Sequence, residues 1–129
     1  MKEKAIYMRD LHFEHEMWKK ELTFCDQELE FLTKRLEEVT FFHEDEKDML
    51  HEVEHFQNQF IVQKQNIDTF LHDINTKEHK LVEFAKDHPV AVDHVHFEDH
   101  AKIRDNMEGF ARIYNEMKQE FRRFLAKWK

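Results

Sequence analysis

The segment DHVHFEDHAKI, residues 93–103, is dense in side chains that can do chemistry. It holds three histidines and three carboxylates within eleven residues. Imidazole and carboxylate groups together are ligands for Zn, Fe or Mn, but they also occur on ordinary solvated helix surfaces. The direction in which these residues face therefore decides between a metal site and a polar surface.

Residues from three segments are expected to meet at one end of the molecule. His96 and Asp99 fall on the apolar face of the last segment, and His100 lies at its edge. Three helices joined by short turns run up, down and up, so residues equidistant from a turn lie side by side. Glu78 and His100 are each eleven residues from Pro89 and should be neighbours. The predicted metal ligands are His12, Glu14, His15, Glu78, His96, Asp99 and His100.

Burying this many ionisable groups is costly unless they pair with one another or bind a metal. The set predicts a transition metal ion, Zn, Fe or Mn, as the only cofactor. The alternative is a wet end of the bundle, held by ordinary hydrogen bonds and ion pairs. Nothing in the sequence selects a substrate, so catalysis is undecided.

A second string, HEVEH at residues 51–55, matches the H-E-x-x-H pattern of zinc proteases. A chain with eleven histidines and abundant glutamate produces such a match easily by chance. An all-helical chain also lacks the sheet that borders a protease cleft. We therefore expect no proteolytic site here.

The elements that must position these residues are helices. One Gly and one Pro among 129 residues leave little material for tight turns, hairpins or phosphate loops. Apolar residues at spacings of three and four predict an all-α protein with helices at about residues 5–42, 45–86 and 92–129. We expect an antiparallel up-down-up bundle that forms a single domain over residues 1–129. The stripe of the first helix is Leu11, His15, Trp18, Leu22, Cys25, Leu29, Leu32, Leu36 and Val39.

The sequence marks the two turns unequally. Pro89 disfavours helix at the residue before it and suits a first helical turn, and Asp93 offers a further cap. Between the first two helices the apolar spacing continues almost in phase, so one helix of about 80 residues is the alternative. We favour a turn near residues 40–45, with Asp45 as N-cap. Gly109 falls inside the third helix, where we expect close packing to offset its cost.

A second apolar stripe lies on nearly the opposite side of the first helix. It consists of Phe13, Met17, Phe24, Phe31 and Phe42. A helix in a small bundle has one buried face, so a second apolar face predicts a homo-oligomer, most simply a dimer. The alternative is that these are the scattered exposed apolar residues of any protein surface.

Charge and hydropathy exclude some function classes. A net charge of −8 with neutral histidines argues against a general nucleic-acid binder. Protonation of all eleven histidines would bring the charge to +3, so self-association should depend on pH. We expect neither a membrane span nor a signal peptide, and therefore a soluble cytoplasmic protein. Cys25 is expected to be a small core residue without a redox role.

The leading hypothesis is a small soluble helical-bundle protein that binds a transition metal through its histidine and carboxylate cluster. The alternative is a non-enzymatic, self-associating coiled-coil protein with a structural or adaptor role and no metal. In that case the histidines are polar filler.

Overall fold

The computed structural model describes residues 8–86 and 94–128, which form three long helices. Helix α1 spans Met8–Phe42, α2 spans Lys47–Ala85 and α3 spans His94–Lys127. No strand occurs among the described residues. The prediction of an all-helical protein with three long helices is confirmed.

Some sequence predictions fall on residues that the structure does not describe. The outer helix ends expected near residues 5, 92 and 129 are among them, as are Pro89 and the cap at Asp93. That residues 1–129 form a single domain stays a prediction.

A short turn at residues 43–46 separates α1 from α2. The backbone N–H of His43 donates to the carbonyl of Thr40 at 3.2 Å, and that of Glu46 donates to His43 at 3.0 Å. The favoured turn is thus present, and the continuous helix of about 80 residues is not. The N-cap is Glu46, with φ −98° and ψ 103° and no side-chain capping bond. The prediction of Asp45 as N-cap is wrong, because the turn needs one more residue before the chain becomes helical.

The apolar stripes of the three helices meet in one elongated core. The predicted stripe of α1 faces inward, with Leu22 fully buried and Cys25 and Leu32 partly buried. Burial of each large apolar side chain contributes about 1.5–3 kcal/mol, so this core is the main source of stability. Its buried members are Trp18, Leu22, Leu29, Leu36, Val39, Met49, Val53, Phe56, Phe60, Ile67, Ile74, Ile103, Met107, Phe110, Tyr114, Met117, Phe121 and Phe124.

Two positions interrupt the pattern of large apolar core residues. Gln63 of α2 is 3% exposed, and its Oε1 has no hydrogen-bond partner among the described residues. At Gly109 of α3, an added Cβ would meet nothing within 4 Å. The expectation that close packing compensates for this glycine is wrong, since the space beside it is open.

Side-chain contacts show which helix ends lie together. His15, near the start of α1, bonds Glu78, near the end of α2. At the opposite end of α2, Glu52 accepts a hydrogen bond from the indole N–H of Trp128, which follows α3. The Trp128 ring also lies 6.1 Å from the ring of His43, in the turn after α1. The start of α1 therefore lies beside the end of α2, and the end of α1 lies beside the end of α3. Within the described residues, no helix combines the length and hydropathy needed to cross a bilayer.

Candidate functional site

Two imidazole–carboxylate pairs lie where the start of α1 meets the other two helices. His15 Nδ1 is 2.7 Å from Glu78 Oε1, which links α1 to α2. His100 Nε2 is 2.7 Å from Glu14 Oε1, which links α1 to α3. Residues from three different helices thus come together at one end of the core. Turn counting predicts that Glu78 and His100 lie at the same level of the bundle, and both lie against His15. Each has its hydrogen-bond partner on α1.

The two imidazoles are almost fully removed from solvent. His15 is 3% exposed and His100 is 4% exposed, and their ring centroids are 5.3 Å apart. In each ring one nitrogen bonds a carboxylate, whereas the other has no partner among the described residues. These unpartnered atoms are His15 Nε2 and His100 Nδ1. A buried polar atom left without a partner costs about 1–3 kcal/mol, so this arrangement calls for a ligand or another physical explanation.

The helical stripes explain why these histidines face inward. His15 occupies a stripe position between Leu11 and Trp18 on α1, both of which are buried. His100 is three residues before the buried Ile103 on α3, so helix geometry places both on one face. The inward direction of each imidazole therefore follows from local periodicity.

Trp18 closes the cluster on the side of the core. Its ring centroid lies 5.0 Å from that of His100 and 6.0 Å from that of His15. At 8% exposure the indole excludes water from both imidazoles and lowers the local polarity. Sequence reasoning assigned Trp18 to the core alone, although its place one turn after His15 on the same stripe was the available signal.

An outer layer of half-exposed side chains holds the two carboxylates in place. His12 Nδ1 is 2.5 Å from Glu78 Oε2, and Arg104 Nη2 donates to Glu14 Oε1 at 2.5 Å. Each glutamate therefore binds one buried histidine and one exposed cation or imidazole. Arg104 was missed from the sequence, where its place one turn after His100 was the only indication.

The local electrostatics favour a neutral His100 beside an ionised Glu14. Burial lowers the pKa of the His100 imidazole more than the nearby Glu14 raises it. Burial raises the pKa of Glu14, but hydrogen bonds from Arg104 and His100 outweigh it, so the net pKa of Glu14 is lowered. A carboxylate accepts hydrogen bonds only, so a neutral His100 donates its Nε2–H to Glu14. The lone pair of His100 is then on Nδ1, the unpartnered atom.

Two of the predicted ligands, His96 and Asp99, belong to the first turns of α3. Their backbone is described, but their side chains lie outside the described part of the structure. Among the side chains that are described, no group of three or more His, Cys, Asp or Glu is arranged to hold a metal ion. The described part of the cluster thus supplies two free imidazole nitrogens, while its two carboxylates are engaged with other partners.

The H-E-x-x-H string lies at the opposite end of α2, on its surface. His51 is exposed, and the side chain of His55 is 49% exposed with Nε2 3.4 Å from Glu120 Oε2. Glu52 accepts a 2.7 Å hydrogen bond from the indole of Trp128. This glutamate therefore joins α2 to the end of α3.

The second apolar stripe of α1 is exposed. We call Phe13, Met17, Phe24 and Phe31 the outer ridge. These side chains are 62%, 44%, 61% and 70% exposed, and Phe42 further along the stripe is 78% exposed. The stripe thus lies outside the core of the single chain, as the sequence suggests, and its homo-oligomeric partner stays a prediction.

Relatives would offer an independent guide to the role of this cluster. Comparison of the chain with protein-family models, curated proteins and solved structures found no match. The chemistry is therefore inferred from the geometry of the cluster itself.

Proposed function

We propose that this protein binds a transition metal ion through His15 and His100. One observation carries the proposal: two buried imidazoles, 5.3 Å apart, each keep one nitrogen without a partner among the described residues. In metal sites the second nitrogen of a ligating histidine is commonly held by a carboxylate, which fixes the ring and raises its basicity. Glu78 and Glu14 have this relationship to His15 and His100.

The remaining ligands are expected from the start of α3. His96 is one helical turn before His100 and Asp99 is adjacent to it, so in this proposal His96 adds a nitrogen ligand and Asp99 an oxygen ligand to the two imidazoles. Such a set suits Zn, Fe or Mn. His12, Glu14 and Glu78 act in this proposal as outer groups that orient the ligands. The proposal includes the antiparallel up-down-up bundle, which the contacts between helix ends support, and it includes no reaction.

Metal content of the purified protein tests this function. The protein is produced without a histidine tag, loaded with Zn²⁺ or Co²⁺, dialysed and analysed for bound metal. We expect one ion per site in the wild type and loss of that ion in the double variant His15→Gln, His100→Gln. Glutamine keeps a polar group at each position, and circular dichroism verifies that the helices remain.

A matched control removes two histidines elsewhere. The double variant His51→Gln, His55→Gln loses two exposed imidazoles one turn apart and should bind as much metal as the wild type. A wild type that retains no metal, or equal binding by all three proteins, would overturn the proposal. Loss of metal in His96→Ala, Asp99→Ala would assign the further ligands to α3.

A second candidate function is structural. It is favoured by the outer ridge, where three phenylalanine rings are 61–70% exposed along one side of α1. Monomeric proteins rarely expose continuous apolar patches of more than a few hundred Å². In this function the protein assembles with copies of itself through the ridge, as a non-enzymatic structural or adaptor protein. Sedimentation velocity tests it, because a chain of 16.1 kDa that stays monomeric at high concentration has no such role.

A further inference from the structure

A groove between α1 and α2 offers a second surface for assembly. It has a volume of about 850 Å³ and is lined by residues of α1 and α2. Its floor is formed by the buried side chains of Leu29, Leu36 and Phe60, which are 2–5% exposed. Ile61 adds an apolar side chain that is 57% exposed. None of the residues that line it belongs to the described part of α3. Helix α3 therefore leaves this side of the α1–α2 pair open.

Both edges of the groove carry charged side chains. Three of the four charged residues on the α1 edge are acidic, namely Asp26, Glu30 and Glu37, and the fourth is Lys34. The α2 edge has Lys64 among neutral amides such as Gln57. Lys64 Nζ reaches across to Asp26 Oδ1 at 2.6 Å. An apolar channel with charged edges is the surface that an amphipathic helix recognises.

The spacing of the outer-ridge side chains along α1 fits the length of this groove. Met17, Phe24 and Phe31 recur every seven residues, which places neighbouring side chains about 10.5 Å apart along the helix. The α1 edge of the groove, from Asp26 to Glu37, extends about 16 Å, enough for two such side chains. Leu29 and Leu36 also lie seven residues apart, so the ridge and the groove share one repeat.

The charge on the ridge also fits a second copy of this chain as the occupant. The exposed Lys20 lies between Met17 and Phe24 on the ridge, where it can pair with the acidic α1 edge of a neighbouring groove. Phenylalanine buries about 150–250 Å² when fully covered, so Phe24 and Phe31 would lose roughly 200–330 Å² of exposed surface. This is less than half of the about 800 Å² per partner that a standard interface buries, so the polar edges and the other ridge side chains must supply the remainder.

We propose that the outer ridge of one copy docks into the α1–α2 groove of a second copy of this chain. This inference rests on the self-association given above as the second candidate function, and it names the surface that receives the ridge. On α1, the groove residues lie about 75–175° around the helix from the ridge. The contact is therefore between two different surfaces, and each copy keeps one of them free for a further copy. Assembly beyond the dimer, into a ring or an open chain, follows from this geometry.

Complementation between two variants tests this contact. The ridge variant is Phe24→Glu, Phe31→Glu, and the groove variant is Ile61→Glu, Gln65→Glu; all four residues are exposed. Sedimentation velocity should give a monomer for each variant alone. Mixed in equal amounts, they should form a discrete species of twice the monomer mass, because the intact ridge of one fits the intact groove of the other. Val62→Glu, an exposed change beside the groove residue Ile61, should assemble like the wild type.

The outcomes separate this inference from the proposal on which it rests. A groove variant that assembles like the wild type would overturn docking in the groove and leave a symmetric ridge-to-ridge contact. A mixture that stays monomeric would also overturn it. A monomeric wild type would overturn self-association altogether. Phe24→Gln, Phe31→Gln replaces the ridge variant if its glutamates reduce helicity.

Discussion

His15 and His100 lie with their ring centroids 5.3 Å apart, although they are 85 residues apart in the sequence and belong to different helices. Both are almost fully buried, and each uses one nitrogen to bind a carboxylate. Their other nitrogens have no partner among the described residues. Among the described residues this pair is the strongest indication of function, and it leads to predictions about stability as well as binding.

Metal binding should stabilise the folded protein. At a free Zn²⁺ concentration of about 100 times Kd, a single site raises the free energy of unfolding by about 2.7 kcal/mol, because the unfolded chain lacks the assembled ligands. We expect this increase in urea unfolding of the wild type. His15→Gln, His100→Gln should lose it, and His51→Gln, His55→Gln should keep it. An equal increase in all three would indicate binding at unrelated surface histidines.

Acidification should destabilise the metal-free protein partly through His100. Burial keeps the pKa of this imidazole below that of the unfolded chain, so below about pH 6.5 the unfolded state binds the proton more readily. The stability that the neutral His100 contributes is fully present above the pKa of a histidine in the unfolded chain. It is lost as the pH falls through the lower pKa of His100 in the folded protein. His100→Gln should reduce the slope of the unfolding free energy against pH by at most about 1.4 kcal/mol per pH unit, which is the value for one proton.

Urea unfolding in the presence of a chelator, between pH 7.5 and 5, measures this slope. Because other histidines titrate in the same range, the relevant quantity is the difference between wild type and variant. An unchanged slope in His100→Gln would show that His100 titrates alike in both states. The lowered pKa of Glu14 acts at more acidic pH, where its protonation removes further stability.

Replacing Gly109 by alanine should stabilise the protein. An added methyl group meets nothing within 4 Å, and alanine favours helix over glycine by about 1 kcal/mol. The matched control is Ala111→Gly, an exposed position on the same helix, which should lose a similar amount. Chemical unfolding of both variants gives the comparison. Destabilisation by Gly109→Ala would mean that this helix needs a glycine for another reason.

Replacing Gln63 by methionine should also stabilise the protein. Gln63 is 3% exposed and its Oε1 has no hydrogen-bond partner among the described residues. Methionine has a similar length and removes a buried polar atom whose desolvation costs about 1–3 kcal/mol. The partly exposed Gln59→Met is the control and should change stability by less than about 0.5 kcal/mol. A loss of stability in Gln63→Met would reveal a polar partner for this amide.

The sequence by itself determined the helices and the inward face of each. Leu11, His15, Trp18 and Leu22 are buried because their spacing puts them on one side of a helix, and this periodicity depends on neighbouring residues alone. The same rule left the ridge residue Phe24 outside the core. The turn after α1 was predicted, but its N-cap at Glu46 was not. The N-cap residue is decided by the backbone angles of the turn, and a row of similar acidic residues does not indicate which of them adopts those angles.

Only the tertiary structure decided which polar groups meet. Counting residues from Pro89 put Glu78 and His100 at the same level, and both lie against His15, but it did not give their partners. Glu78 binds His15 and His12, and His100 binds Glu14. Turn counting gives the level of a residue along a helix, whereas its partner also depends on how each helix is rotated. That rotation is set by packing of the whole core, which also brings Trp18 and Arg104 against the cluster.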